Sequence, residues 1–262
     1  MAAEEDSAAG HPLRFDEELL LWLGDEPPEV RAADSGRIRH IAAELAMGFD
    51  ALADVGPAVT VFGSARTPEH HPHYAQAREL GALLGRAGYA VITGGGPGIM
   101  EAANRGARDA GALSIGCNIE LPHEQRLNPY VDIRLRFSHF FARKVMFVRY
   151  ASGFVICPGG FGTLDELFEA LTLTQTRTIR HFPLVLLDGE EWQGLLSWLH
   201  TRVLADGRID AADLELFRLA DSPAEACAII AAATPAERAY AREQPRRTAA
   251  PGAAGAAAAP RS

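Results

Sequence analysis

Residues 89–100 have the sequence YAVITGGGPGIM, and this stretch decides the fold. The apolar run Tyr89–Thr93 predicts a buried strand, the glycine-rich segment GGGPG at 94–98 predicts a tight turn, and a helix is expected from Ile99 to about Ala110. Such a helix start offers free N–H groups and a positive dipole to an anion, although a tight turn without a ligand is the alternative. The glycine spacing is not GxGxxG, which argues against an NAD-dependent oxidoreductase.

The alternation of strands and helices continues on both sides of this unit. Strands are predicted at 58–63, 89–93, 113–119, 131–137, 154–157, 183–187 and 216–219. Helices are predicted at about 34–54, 74–87, 99–110, 140–151, 161–176, 192–203 and 223–233. Repeated βα units with short links predict a single α/β domain with a doubly wound, mostly parallel sheet and helices on both faces.

Composition divides the chain into three segments. Residues 1–33 are acidic and contain prolines, so we expect an N-terminal extension that is partly disordered. Residues 34–233 are expected to form the folded domain. From 234 to 262 the chain is rich in Ala, Pro and Arg, and it is expected to be disordered because it has too few large apolar side chains to offset its ordering entropy.

Charge and cysteine content restrict the class of protein. A formal net charge of −9 argues against a nucleic-acid-binding protein, which needs a basic face. No stretch of about 18 apolar residues predicts a membrane span, and the first residues do not resemble a signal peptide. The cysteines, Cys117, Cys157 and Cys227, lack metal-type spacing and fit a reducing compartment. We therefore expect a cytoplasmic protein with no membrane or nucleic-acid partner.

A second glycine motif, PGGFGTLDE at 158–166, again follows a predicted strand and opens a helix. Its glycines and the hydroxyl of Thr163 form a group of donors suited to a terminal phosphate. The lysine of a Walker P-loop is missing, so triphosphate chemistry is not indicated. Glu166 lies about one helical turn beyond Thr163 and can face the same cleft. The alternative is that Asp165 and Glu166 only complement the helix dipole.

Two adjacent cations, Arg143 and Lys144, occur in the apolar context FFARKVMF just before the strand that leads into PGG. Lys144 is the only lysine among the 25 Lys and Arg residues. The apolar surroundings favour a contact with an anion or a leaving group over a solvated helix face, which remains the alternative. We expect both glycine turns, at neighbouring strand ends, to converge with these cations on one ligand.

GGGPGIM, the Arg-Lys pair and PGGFGTLDE together resemble the signature of the Lonely Guy (LOG) family of cytokinin riboside 5′-monophosphate phosphoribohydrolases, many of which were mislabelled lysine decarboxylases. The likeness extends from about Val59 to Ala233. It implies a Rossmann-like fold, a nucleotide bound at the carboxyl ends of the strands, and sites at a subunit interface. The residues 141–144 are FARK rather than the commoner HERK. The long N-terminal extension is similar to that of the larger, higher-oligomer branch.

The resemblance also implies roles for individual residues. Arg143 and Glu166 match the catalytic pair. Gly159, Gly160, Gly162 and Thr163 match the phosphate loop, and Ser64, Met100 and Lys144 match nucleotide contacts. Gly95 and Gly96 of the first glycine turn are additional candidates for substrate binding. The implied reaction is hydrolysis of the N-glycosidic bond of a purine nucleoside 5′-monophosphate, AMP or N6-prenylated AMP, to free base and ribose 5-phosphate. A homo-oligomer, either a dimer or a hexamer built of dimers, is implied as well.

Other hypotheses remain at this point. A nucleotide sensor or carrier of the same fold would bind AMP without cleaving it. A pyridoxal-phosphate lysine decarboxylase would need a Schiff-base lysine, and Lys144 has no accompanying motif. The loop histidines His70, His71 and His73 lack a nearby Cys or carboxylate cluster, so we expect no metal site and no cofactor.

Overall fold

The computed structural model describes residues 16, 20, 28–120, 127–179 and 182–243, with only the backbone given for 28–33 and 234–243. The α-helices are α1 (Pro28–Leu52), α2 (Pro72–Arg86), α3 (Ile99–Asp109), α4 (Phe140–Arg149), α5 (Phe161–Gln175), α6 (Gln193–Trp198) and α7 (Pro223–Glu243). The strands are β1 (Ala58–Phe62), β2 (Ala90–Thr93), β3 (Ser114–Ile119), β4 (Ile133–Phe137), β5 (Ala151–Ile156), β6 (Leu184–Leu187) and β7 (Arg218–Ala220). A π-helical turn at Leu199–Leu204 extends α6, and a 3₁₀ turn spans Ala211–Glu215.

The strands form one sheet in the order β4-β3-β2-β1-β5-β6-β7. Every pairing between neighbouring strands is parallel. The chain moves outward from β1 to β4, then returns to the other side of β1 and moves outward again. The predicted doubly wound α/β fold is therefore confirmed.

Side chains alternate between the two faces of the sheet and build a core on each. On β1, Phe62 joins the core that contains Met146 of α4 and Leu167 of α5. Val61 points to the opposite face and joins the core that contains Leu80 of α2. The result is a three-layer arrangement in which α1, α4 and α5 share one face of the sheet.

The predicted element boundaries differ most at the ends of the domain. Helix α1 begins at Pro28 rather than near 34, since proline is well suited to the first turn of a helix. Helix α7 continues to Glu243, past Pro235 and beyond the predicted end at 233, through residues 236–243, which are mostly the strong helix formers Ala, Glu and Arg. The predictions for residues 1–27, apart from residues 16 and 20, and for residues 244–262 lie outside the described residues. No helix in the described part of the chain is both long and apolar enough to cross a bilayer.

Helices α2 and α3 cross so closely that the contact requires glycine. A Cβ on Gly106 would overlap the carbonyl oxygen of Arg78. We predict that Gly106→Ala lowers the free energy of unfolding by about 1–3 kcal/mol because the helices must move apart. Gly36→Ala in α1 is the matched control, since nothing lies within 4 Å of that Cβ position. Gly36→Ala should raise the free energy of unfolding by about 0.5–1 kcal/mol. Urea denaturation measures both free energies of unfolding. If Gly106→Ala and Gly36→Ala changed them equally, the packing argument would be contradicted.

Candidate active site

A cavity of about 650 Å³ opens at the carboxyl ends of β1 and β5. The strand order reverses between these two strands, and ligands of doubly wound folds bind at such a point. The volume lies within the range of small-molecule sites. The predicted site residues that line the cavity are Ser64, Met100, Arg143, Gly160, Gly162, Thr163 and Glu166.

The two glycine turns do not follow neighbouring strands, so that expectation is wrong. They follow β2 and β5, and β1 lies between them because the chain winds outward from β1 in both directions. Ser64, just after β1, connects them. Its N–H donates to the carbonyl of Pro158 at 3.1 Å, and its carbonyl accepts from the N–H of Ile99 at 3.0 Å. The segment after β1 therefore sets the spacing between the two turns.

The start of α5 is the better anion site of the two helix starts. Its N-cap, Gly160, has no side chain to occupy the free N–H groups, and its first turn carries no acidic residue. Thr163 lies in the same turn and lines the cavity. At the start of α3, by contrast, the N–H of Ile99 already binds Ser64, and Glu101 lies in the first turn. Both N-caps are glycines, and the acidic residue in the first turn of α3 makes the start of α5 the more favourable position for an anion.

The turn after β2 has a supporting role in the cavity wall. Gly95 and Gly96 do not line the cavity, and their carbonyls accept from the backbone N–H of Asn128 at 2.8 Å and from its Nδ2 at 3.0 Å. Asn128 also donates to Asn104 at 2.9 Å, and Asn104 accepts from the hydroxyl of Thr93 at 2.6 Å. This buried network fixes the turn. Sequence reasoning missed both asparagines, because an isolated Asn gives no signal.

Arg143 of α4 reaches the cavity between two aromatic rings. Its guanidinium carbon lies 4.9 Å from the ring centroid of Phe140 and 5.4 Å from that of Phe147. Its buried Nε atom has no hydrogen-bond partner among the described residues. Burial lowers the pKa of Arg143, and the charge of Glu166 partly opposes that shift. A buried donor without a protein partner, directed at a cavity, is suited to an anionic ligand.

Glu166 of α5 faces the same cavity and is only 6% exposed. Burial raises its pKa to about 7, although the charges of Lys144 and Arg143 oppose the shift. Near neutral pH this carboxyl group therefore exists in both protonation states. A group with that property can act as an acid and as a base within one reaction cycle.

Lys144 lies outside the cavity lining. Its Nζ atom forms ion pairs with Asp165 at 2.8 Å and Glu169 at 3.2 Å, both on α5. Burial alone would lower the pKa of Lys144, but the hydrogen bond to Asp165 and the nearby glutamates raise it. Lys144 thus connects α4 to α5 as a cation. Gly159 is also absent from the lining and packs against Thr163.

Several lining residues were missed by sequence reasoning. Arg66 is an exposed cation at the cavity, two residues after Ser64. Its position in the short segment that follows β1 was the signal that could have identified it. Phe62, Ile119 and Phe147 form an apolar wall, and nothing in the sequence distinguishes them from ordinary core residues.

The remaining histidine and cysteine candidates have structural roles. His71 Nδ1 accepts from the N–H of His73 at the start of α2, and His73 pairs with Asp188 at 3.1 Å. The cysteines are free and buried, as expected. Burial raises the pKa of Cys157 to about 12, so it remains a thiol rather than a nucleophilic thiolate.

The raised pKa of Glu166 predicts a pH-dependent cost to stability. Its ordinary pKa is 4.5 and its folded-state pKa is about 7, so the unfolded state binds fewer protons between these values and stability falls as pH rises. Glu166→Gln removes the buried charge. We expect this variant to match wild type at pH 4 and to be more stable by up to about 3 kcal/mol at pH 8. The check is the Tm of wild type and of Glu166→Gln measured from pH 4 to pH 8. If the two Tm values changed with pH in parallel, the pKa of Glu166 would not be raised.

Comparisons with known proteins show which family the chain is similar to. Residues 100–230 match the family model described as "Possible lysine decarboxylase". The chain is 30% identical over 171 residues to a probable cytokinin riboside 5′-monophosphate phosphoribohydrolase of Oryza sativa subsp. japonica, covering 64% of this chain and 73% of the relative. It is 28% identical over 165 residues to a cytokinin riboside 5′-monophosphate phosphoribohydrolase of Mycobacterium tuberculosis, covering 62% of this chain and 87% of the relative.

Among solved structures, the protein TM1055 is 30% identical, with a TM-score of 0.51. The match covers 66% of this chain and 98% of that structure. The region matched by the family model includes α4 with Arg143 and the PGGFGT turn with Glu166 beyond it. The chain therefore belongs to the LOG family, whose members are also described as possible lysine decarboxylases.

Proposed function

We propose that this protein hydrolyses the N-glycosidic bond of a purine nucleoside 5′-monophosphate, releasing free base and ribose 5-phosphate. The family relatives are named for hydrolysis of nucleotides. The observation that supports the proposal most strongly is the single cavity shared by the open start of α5, Arg143 and Glu166.

The phosphate occupies the start of α5, where the N–H groups near Gly160 and Gly162 and the hydroxyl of Thr163 bind its oxygens. The exposed Arg66 adds a positive charge at the cavity mouth. This anchor fixes the ribose above Glu166, and such positioning contributes much of the rate enhancement by itself. In this proposal the purine, adenine or an N6-prenylated adenine, lies against the apolar wall of Phe62, Ile119 and Phe147.

The chemical step breaks the bond between C1′ and the base nitrogen, and the base leaves with the electron pair. Protonated Glu166 supplies a proton to the leaving base, and the resulting carboxylate stabilises the oxocarbenium-like ribosyl cation. Water then adds to C1′ and returns its proton to Glu166, which restores the starting state. Arg143 orients the nucleotide and stabilises the negative charge that develops on Glu166 as it gives up its proton. One carboxyl group with a pKa near 7 thus supplies the leaving-group proton.

Lysine decarboxylation is disfavoured by the position of Lys144. Schiff-base formation with pyridoxal phosphate requires a neutral lysine amine in the cavity. Lys144 is held by two carboxylates outside the lining, and these contacts raise its pKa. The chain has no other lysine to take that role.

We also propose a homo-oligomer. Phe140 and Phe141 of α4 are 43% and 42% exposed, and Phe161 at the cavity is 92% exposed. Exposed apolar side chains grouped beside a site are typical of protein interfaces. Light scattering that gave the monomer mass at micromolar concentration would contradict this.

The test of the proposed function is direct detection of products. The protein is incubated with AMP, N6-(isopentenyl)adenosine monophosphate and the corresponding unphosphorylated nucleosides. We expect free base and ribose 5-phosphate from the monophosphates, and far less base from the nucleosides, which lack the phosphate anchor. Calorimetric binding of AMP without release of base would instead identify a nucleotide sensor or carrier.

A further inference from the structure

We propose that helix α1 positions the catalytic Arg143, and that Glu44 does this by capping the start of α4. This inference rests on the proposed function, because it gives the region before the sheet a role in that reaction. Glu44 lies on α1 and is only 6% exposed. It touches neither the cavity nor Arg143, so it acts as a positioning residue.

Helix α4 does not cap itself. The side chain of its N-cap residue, His139, makes no capping hydrogen bond. Glu44 Oε1 instead accepts from the backbone N–H of Ser138 at 2.6 Å, and Oε2 contacts His139 Nδ1 at 2.9 Å. Asp16 Oδ2 accepts from the N–H of Phe140 at 3.1 Å. Two carboxylates from the N-terminal region therefore supply negative charge at the positive end of α4.

The cap lies one turn from Arg143, whose N–H donates to the carbonyl of His139 at 3.4 Å. Hydrogen bonds to a buried carboxylate are short and strong, so Glu44 fixes where α4 begins. A displacement of about 1 Å at a catalytic group can reduce turnover about 10²-fold. The orientation of the guanidinium consequently depends on a side chain from another helix.

Contacts farther along keep α1 and α4 in a fixed relation. A Cβ on Gly48 would overlap the sulfur of Met146, so α1 and α4 are in close contact here and a larger residue would require the Met146 side chain to move. The hydroxyl of Tyr150, just after α4, donates to the carbonyl of Phe49 at 3.2 Å. Glu44 is thus one end of a continuous contact between the two helices.

The same group has the composition of a metal site. Ligand atoms of His40, Glu44 and His139 all lie within 4.8 Å of one another, and His40 Nε2 is 3.3 Å from Glu44 Oε1. However, both oxygens of Glu44 already have hydrogen-bonding partners from the protein. Both oxygens are thus engaged in the contacts at the start of α4, and we assign the group to capping. Added Zn²⁺ should leave the Tm of wild type unchanged; a rise that Glu44→Gln abolishes would overturn the capping role.

The kinetic test compares Glu44→Gln with Asp50→Asn, an exposed acid on the same helix. Glutamine keeps one acceptor oxygen but has an amide donor in place of the other, so it no longer offers an oxygen to each of Ser138 and His139. We expect kcat for AMP to fall about 10- to 100-fold with a KM change below about threefold, because the phosphate site on α5 is untouched. Glu44→Asp should recover part of the loss, and Asp50→Asn should match wild type. In an Arg143→Ala background, Glu44→Gln should lower kcat by less than about twofold, because the group that it positions is already absent.

A structural readout separates this inference from the proposed function. Hydrogen exchange of the amides of Phe140 and Arg143 should accelerate in Glu44→Gln but not in Asp50→Asn. If wild type releases no base from any monophosphate, the proposed function fails while the exchange result still tests the cap. If Glu44→Gln does not fold, Asp16→Asn replaces it, with an expected two- to fivefold loss of kcat, about the size of a surface helix-dipole effect. The proposal would be overturned if hydrogen exchange at Phe140 and Arg143 were unchanged in Glu44→Gln. It would also be overturned if Glu44→Gln lowered kcat as much in the Arg143→Ala background as in wild type.

Discussion

Glu166→Gln is expected to lower kcat for AMP by about 10³-fold or more, which corresponds to about 4 kcal/mol of transition-state stabilisation. Glutamine has nearly the same size and keeps the cavity shape, but it carries no titratable proton and no charge. The variant can therefore neither protonate the leaving base nor stabilise the ribosyl cation. Its KM for AMP should remain close to that of wild type, since the phosphate is bound elsewhere on α5. Release of free base under saturating AMP measures the effect.

Glu169→Gln is the matched control for this substitution. Glu169 lies on the same helix, pairs with Lys144 at 3.2 Å and does not line the cavity. We expect its kcat to stay within about threefold of wild type, the scale of a partly exposed ion pair. If Glu166→Gln kept more than a tenth of the wild-type turnover, the assignment of Glu166 as the catalytic carboxyl group would be wrong.

Arg143→Ala is expected to reduce kcat/KM by about 10²- to 10³-fold, in line with the removal of other preorganised electrostatic groups. The guanidinium lies between the rings of Phe140 and Phe147, and its buried Nε has no partner in the described part of the protein. A ligand anion is thus the natural partner for its donors. Arg143→Lys should recover little activity, because an ammonium group lacks the planar arrangement of donors.

Arg149→Ala provides the comparison on the same helix. Arg149 lies in the last turn of α4, stacks on Phe49 at 4.7 Å and is absent from the cavity lining. Its loss should leave kcat/KM within about twofold of wild type and change only the stability, by about 0.5–1 kcal/mol. Equal kinetic effects of the two substitutions would mean that net positive charge on α4, rather than the position of Arg143, matters.

The fold was predictable because it is encoded by local patterns. The alternating sequence VDIRLRF at 131–137 predicted a half-exposed strand, and β4 is an edge strand with Arg134 and Arg136 exposed. Apolar runs followed by glycine turns located the central strands in the same way. The helix after Trp192 was less predictable in detail, since it passes into a π-helical turn at Leu199–Leu204 that the sequence pattern did not indicate.

The candidate site was predictable only in part. Thr163 and Glu166 are one helical turn apart, so their common face follows from helix geometry. The difference between Arg143 and Lys144 does not follow from any local rule. These neighbours point in different directions on α4, one into the cavity and the other toward Asp165 and Glu169. The packing of α5 against α4 therefore decides that Arg143, and not Lys144, lines the cavity.

The sequence by itself determined the doubly wound α/β fold and the two glycine turns, because strand–helix alternation and backbone freedom depend on neighbouring residues. Only the tertiary structure decided that β1 separates those turns, that Gly95 and Gly96 support the cavity rather than line it, and that Glu44 caps α4. Ser138 and Glu44 are 94 positions apart in the chain. Contacts over such distances are set by the packing of helices on the sheet, which no local pattern records.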